Sequence, residues 1–429
     1  MSTAPRSAKD RALLALGIAL LFAGVVAGWL RARTGNDYAV LHAMAVGIVE
    51  HENVYLLNDP GAVGVGVVGM VYPPAIAFTV FWLALVPFEV GRVIWFLVMN
   101  ATLVLGVRAL IRFAAPAARD HVWMLSAGLL LFSAAIRWGM MLLQGAPFML
   151  GLLCFFVVAL RTGRPRLALA LAIVAACFKM TLALPFIGLL LLYRRYVAVF
   201  VSGSAWLGLN ALGFALMGGN AFATYRHNVQ VFEALNSVNI NGPDPWLGVS
   251  LPRLDWVFLF YGVTRDLPAS RIANLICAAA VALWLLREGL RTATPPSLPS
   301  TTLFLSALVC LGSLCVYHHQ YDACLFFAPM LLVWFGAPSL RNPPWAVWLT
   351  LPFALIIAIL PIGVVQHVIE ATLGVHWVGL LKLSFPVAIT LALAGSLVML
   401  RRYTSLPREG LGATSNERAF AEPARPSSS

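Results

Sequence analysis

An all-α polytopic membrane protein is the fold class the sequence predicts, and three observations predict it. Apolar runs of spanning length recur along the chain, basic residues cluster beside those runs, and the composition is too apolar for a water-soluble domain. Of 429 residues, 61% are hydrophobic and 11% charged. A span requires about 20 mostly apolar residues. Such runs occupy residues 13–30, 123–143, 197–217, 272–286, 302–317 and 383–400, among others. With the segments between them, roughly 10–12 transmembrane helices result.

The net charge of +12 would suggest a nucleic-acid partner in a soluble protein. Here the basic residues sit as short clusters flanking apolar runs, which is the positive-inside pattern and excludes that reading. Arg6, Lys9 and Arg11 place the N-terminus in the cytoplasm. Later cytoplasmic turns are marked by Arg161, Arg164 and Arg166, by Arg194 and Arg195, by Arg287 and Arg291, and by Arg401 and Arg402. The first run is long and leads into many more, so it is expected to stay as an uncleaved helix. Cys154, Cys177, Cys277, Cys310, Cys315 and Cys324 lie in or beside apolar runs without metal-type spacing, as core filler does.

Taken in order, the polar stretches define the rest. Three outward loops are expected, at residues 31–70, 218–271 and 365–381. Residues 38–57 space their apolar side chains as an amphipathic, interface-lying helix would, and the Gly-rich residues 61–69 then lead to Val71-Tyr72-Pro73-Pro74. Residues 71–88 resist a simple count: either they dip and return, or Arg108, Arg112 and Arg119 mislead as inside markers. Residues 167–193, with Lys179 and Pro185 inside and basic residues at both ends, predict a broken helical hairpin. Residues 1–403 thus form one integral membrane domain, and 404–429, rich in Ser, Pro and Arg, form a disordered cytoplasmic tail.

Several residues are candidates for chemistry. Asp37 opens the first outer loop and is placed either to take a proton from a sugar hydroxyl or to cap the following helix. Tyr72, before two prolines, marks a helix start and is also placed to face a site. Lys179 lies in an apolar run, where insertion costs about 2.5–3.5 kcal/mol. It either faces a cavity and a phosphate or snorkels to the interface. His318, His319 and Asp322 end the run at 302–317, with His318 and Asp322 one turn apart if that helix continues. They are suited to a phosphate, a metal or a polar interface, with too few further ligands nearby for a metal. No Walker loop or GxGxxG occurs, so no nucleotide site is expected.

These pieces, in this order, resemble the family 87 glycosyltransferases. The resemblance rests on Asp37-Tyr38, Val54-Tyr55, Val71-Tyr72-Pro73-Pro74, Gln144 before Phe148, Lys179 with Pro185 and Arg194-Arg195, Asn236-Ser237, Ser250-Leu251 and His318-His319. It departs from the family pattern at Leu143-Gln144-Gly145 and at Met180-Thr181 after Lys179.

The resemblance implies a GT-C-type fold and transfer of a sugar, with mannose the family's example, from a polyprenyl-phosphate donor to a lipid or glycan acceptor. It makes Asp37 the catalytic base of an inverting displacement. Lys179, His318, His319, Tyr72 and Gln144 are then candidates for donor phosphate and substrate binding, with no cofactor. The wider fold sometimes uses a metal, but the first loop lacks a second acid directly beside Asp37, so a metal-independent site is expected. The competing expectation is a transporter or flippase of lipid-linked sugars, which should place ionisable groups at mid-membrane on several helices.

Overall fold

The computed structural model describes residues 7–32, 36–56, 71–235, 243–246, 253–292, 295–316, 318–336, 340 and 362–405. The Gly-rich residues 61–69, Asn236-Ser237, Ser250-Leu251 and the tail from residue 406 lie outside the described residues. The helices, in order, are α1 (Ala8–Arg31), α2 (Asn36–Glu50), α3 (Ala75–Val80), α4 (Phe88–Ala114), α5 (Asp120–Leu131), α6 (Ala134–Leu142), α7 (Ala146–Arg161), α8 (Pro165–Phe178) and α9 (Leu184–Leu192). They continue with α10 (Tyr196–Leu216), α11 (Ala221–Leu235), α12 (Trp256–Thr264), α13 (Leu267–Arg291), α14 (Leu298–Cys315), α15 (Phe327–Phe335), α16 (Ile362–Leu373) and α17 (Val375–Ser405). Among the described residues the only β pairing is one antiparallel bridge between Arg253 and His319.

Among the described residues, six helices are long and apolar enough to cross a membrane: α1, α4, α10, α13, α14 and most of α17. The pair α5 and α6, bent by 64°, passes the same test only when taken together, as a broken span or a re-entrant loop, and four shorter apolar segments accompany them. The protein is therefore an all-α multi-pass membrane protein. The run at 123–143 is not one straight helix, because Ser133 caps α6: its Oγ accepts from Ile136 N–H at 3.4 Å. Four of the six free cysteines are buried.

Contacts sort the helix ends into two tiers. At one end Arg112 pairs with Asp120 at 2.5 Å, Arg119 with Asp10, and Arg161 donates to Pro296 O. Tyr193 bonds Thr301 at 3.1 Å there. A side chain added at Gly336 would touch both Ala114 and Leu298, which ties the two groups of ends together. This basic end holds the termini that sequence assigns to one side, including Arg112 and Arg119.

Residues 71–88 fit that arrangement. α3 and the 3-10 turn Phe81–Leu85 are too short to span about 30 Å of hydrocarbon, and α4 runs from them to the basic end. The prolines precede α3, with Pro74 at its N-cap, and Ala75 N–H is satisfied by Asn210 Oδ1 at 2.9 Å. The broken hairpin at 167–193 is present as α8 and α9, separated by Lys179 and a 3-10 turn, Met180–Leu182.

α2 departs from expectation. It is a helix, but Tyr38, Leu41, Met44, Ala45 and Ile48 are all buried, and among its described side chains only Val49 and Glu50 are exposed. It is wedged against α3 and the Phe81–Leu85 turn instead of lying in the interface with one face in water. Tyr38 fixes it to α4 by donating to Phe88 O at 3.0 Å.

α4 and α7 cross at Gly106 and Gly151. A Cβ at Gly151 would strike the Thr102 carbonyl, and one at Gly106 would strike Gly151 itself. Small residues let helix backbones meet this way in membranes. Since backbone cannot move aside as a side chain can, Gly151→Ala is expected to destabilise by about 1–3 kcal/mol, read as a lower melting temperature of the detergent-purified protein.

Candidate active site

At the end opposite the basic tier, five chain segments converge. α7 begins there after Leu143, held in the left-handed region at φ 54. Trp95 Nε1 donates to Leu143 O at 3.0 Å, and its ring stacks on Phe178 at 5.6 Å. A side chain at Gly145 would strike Phe178, so the turn lies directly against the residue preceding Lys179. Gln144 is buried in this wall, with Oε1 accepting from Ala146 N–H at 2.9 Å. Cys324 Sγ in turn donates to Ala146 O at 3.2 Å, which joins the turn to the segment carrying Asp322.

α14 ends at Cys315, and Val316 is extended (φ −129, ψ 157). The helix does not continue to Asp322. A separate 3-10 turn, Gln320–Phe326, starts after His319 and returns Asp322 toward His318. The expected neighbourhood is found, built by a different backbone.

Asp322 is the centre of the cluster. Lys179 Nζ donates to its Oδ1 at 2.7 Å and His318 Nδ1 to its Oδ2 at 2.9 Å. Asp322 and His318 are both buried. Burial alone would push the Asp322 pKa up, but Lys179 and His318 outweigh it and hold the carboxyl well below the usual carboxylate range. His318 Nε2 has no hydrogen-bond partner among the described residues. Lys179 Nζ also lies 5.4 Å from the Tyr321 ring centroid, and His319 packs on that ring at 5.5 Å.

Behind the histidines stands a second ion pair. Arg253 and Asp255 make a two-bond bridge of 2.8 and 3.0 Å, both residues buried. Leu254 N–H donates to His318 O at 3.1 Å, so the end of the second loop is clipped to the histidine segment. Asp255 also caps α12 by accepting from Phe258 N–H at 3.1 Å.

Asp37 stands in the first turn of α2, inside the helix rather than at its cap. It is partly exposed. Its pKa is raised to about 6, chiefly by burial, with Lys179 opposing the rise and Asp322 adding to it. Asp37 therefore shares an electrostatic neighbourhood with the lysine and its aspartate.

The sequence model of glycosyltransferase family 87 matches residues 70–313, more than half of the chain. The chain belongs to that family. As a family 87 glycosyltransferase it carries Tyr72, Gln144 and Lys179 within the matched stretch, whereas Asp37, His318, His319 and Asp322 lie outside it. No curated protein matches the chain.

Of the residues singled out from sequence, the fold brings Lys179 and His318 onto one carboxylate and places His319 and Gln144 in the surrounding wall. Tyr72 is held by its carbonyl, which accepts from Tyr55 O–H at 2.9 Å, on the neighbouring α3 wall. Sequence gave Asp322 only a histidine neighbour and passed over Arg253. The Lys179–Asp322 pair spans 143 positions and leaves no local trace. Arg253-Leu254-Asp255, an ion pair two residues apart in extended chain, was the signal available for the second bridge.

Proposed function

We propose that this family 87 glycosyltransferase moves a hexose, mannose by likeness to the family, from a polyprenyl-phosphate donor to a lipid or glycan acceptor. Its setting would be a bacterial plasma membrane, with a GT-C-type fold, the basic tier and N-terminus cytoplasmic, and the Asp37 cluster at the outer face.

In this scheme Asp37 takes the proton of an acceptor hydroxyl as that oxygen attacks the anomeric carbon. The bond from that carbon to the donor phosphate breaks, the phosphate leaves with the electron pair, and the anomeric configuration inverts. Lys179 is placed to neutralise the charge growing on the leaving phosphate, and Asp322 holds its ammonium at a fixed site until then. His318 orients Asp322 through Nδ1. No step calls on a metal or cofactor.

The observation that carries this reading is a carboxyl group whose pKa is lifted to about 6, within electrostatic reach of a partly buried lysine. A base works best with a pKa near the working pH. Membranes bearing wild type or Asp37→Asn, supplied with polyprenyl-phosphate-mannose and an extracted lipid acceptor, provide the test. Equal transfer by the two proteins removes Asp37 from the role of base. Absence of transfer, with flipping of sugar-lipid in liposomes, replaces the reading by transport.

A further inference from the structure

The backbone that carries the two histidines is held by the α12–α13 side of the molecule. Asn274 of α13 donates from Nδ2 to Cys315 O at 3.0 Å, and Leu254 N–H donates to His318 O at 3.1 Å. Arg253 and His319 add the antiparallel bridge. The frame that aims His318 is thus built from residues outside the Asp37, Lys179 and Asp322 cluster.

One carboxylate organises this frame. Asp255 Oδ1 accepts from Phe258 N–H at 3.1 Å, which caps α12, and its two oxygens take the Arg253 guanidinium at 2.8 and 3.0 Å. Asp255 is extended (φ −88, ψ 157), so the bridge staples side chains two positions apart, on one side of an extended chain. Leu254 N–H, between them, is thereby held on His318 O. α12 is anchored in turn, because Trp256 Nε1 donates to Thr390 Oγ1 of α17 at 2.9 Å. A buried ion pair gives little net stability over apolar residues of equal volume, whereas two parallel bonds fix geometry. What they fix here is the backbone of His318. Its Nδ1 meets Asp322 at 2.9 Å and Asp322 meets Lys179 at 2.7 Å, so a shift of that backbone reaches the ammonium through two hydrogen bonds.

We propose that Asp255 is a positioning residue for sugar transfer, which sets the orientation of His318 through Arg253 and Leu254 without touching substrate. The proposal rests on the Lys179–His318 cluster being the transfer site.

The full-length protein is compared as wild type, Asp255→Asn, Arg253→Met/Asp255→Asn, His318→Ala and Asp255→Asn/His318→Ala. The amide at 255 still caps α12, so the loss falls on the bridge. With polyprenyl-phosphate-mannose as donor, Asp255→Asn should lower kcat by about 10–10²-fold, the scale of a misplaced active-site group, with an unchanged KM for the donor. Added to His318→Ala it should lower kcat no further, because the two act along one path. Arg253→Met/Asp255→Asn should keep the wild-type melting temperature and show the same kcat loss. An unchanged kcat in Asp255→Asn, a change confined to KM, or independent effects of Asp255→Asn and His318→Ala would overturn the assignment. Recovery of kcat in Arg253→Met/Asp255→Asn would do so as well, since the loss would then come from the stranded charge. A second readout needs no donor: acylation of histidines by diethyl pyrocarbonate in detergent, followed by mass spectrometry. His318 is fully buried and His227 exposed, so the reactivity of His318 relative to His227 should rise severalfold in Asp255→Asn. Unchanged reactivity overturns the frame. If wild type transfers no mannose from this donor, the donor reading fails, and the acylation result alone decides whether Asp255 orients His318.

Discussion

Asp37→Asn is expected to lower sugar transfer by about 10²–10⁴-fold, the usual range for removal of a general base, while making the fold more stable. Both effects come from burial. The folded-state pKa of Asp37 is raised from 3.8 to about 6. The destabilisation this implies is absent below the lower value and complete above the upper one. Keeping the carboxylate ionised at neutral pH costs the fold on the order of 2 kcal/mol, allowing for solvent screening, and the neutral amide removes that cost. Loss of activity together with a gain in melting temperature separates a functional carboxylate from a structural one. The wild-type rate should rise with pH through about 6 as Asp37 ionises. A flat profile across that interval would remove the base assignment.

Asp322→Ala should have the largest effect on stability. It leaves a lysine and a fully buried histidine without their shared carboxylate, and breaking a buried pair from one side costs about 3–5 kcal/mol. Adding Lys179→Met to it should recover much of that loss, measured by thermal unfolding in detergent, because the uncompensated cation goes too. The milder Asp322→Asn supplies a second reading. The Asp322 charge helps raise the Asp37 pKa, whereas Lys179 lowers it, so Asp322→Asn should move the acid limb of the pH–rate profile down from about 6 and Lys179→Gln should move it up. If neither substitution moves that limb, the two carboxylates are not electrostatically coupled.

Much of the fold was legible because hydropathy and charge are local properties. The runs at 13–30, 272–286 and 383–400 lie within α1, α13 and α17, and the run at 197–217 matches α10 to within one residue, as an apolar length requirement demands. The bend after Phe132 was not legible, since one serine in an apolar run caps a helix only when packing turns the chain there. Lys179 stood out through the cost of placing a charge among apolar residues. Its partner did not, because an ion pair between remote segments is set by tertiary packing. α2 was misjudged for a related reason: its polar residues are too few to show that neighbours cover nearly all of it.

The buried cysteines give the native chain a low background for thiol-specific probes. Cys154, Cys177, Cys310 and Cys324 are covered by protein, and Cys277 and Cys315 sit on apolar helices, where a thiol meets little water to ionise and react. Single cysteines introduced beside Lys9, Arg164 or Arg265 can thus be tagged with a membrane-impermeant maleimide in intact cells, without first stripping the six natural thiols. Labelling only at the position beside Arg265 would orient the whole bundle in one experiment.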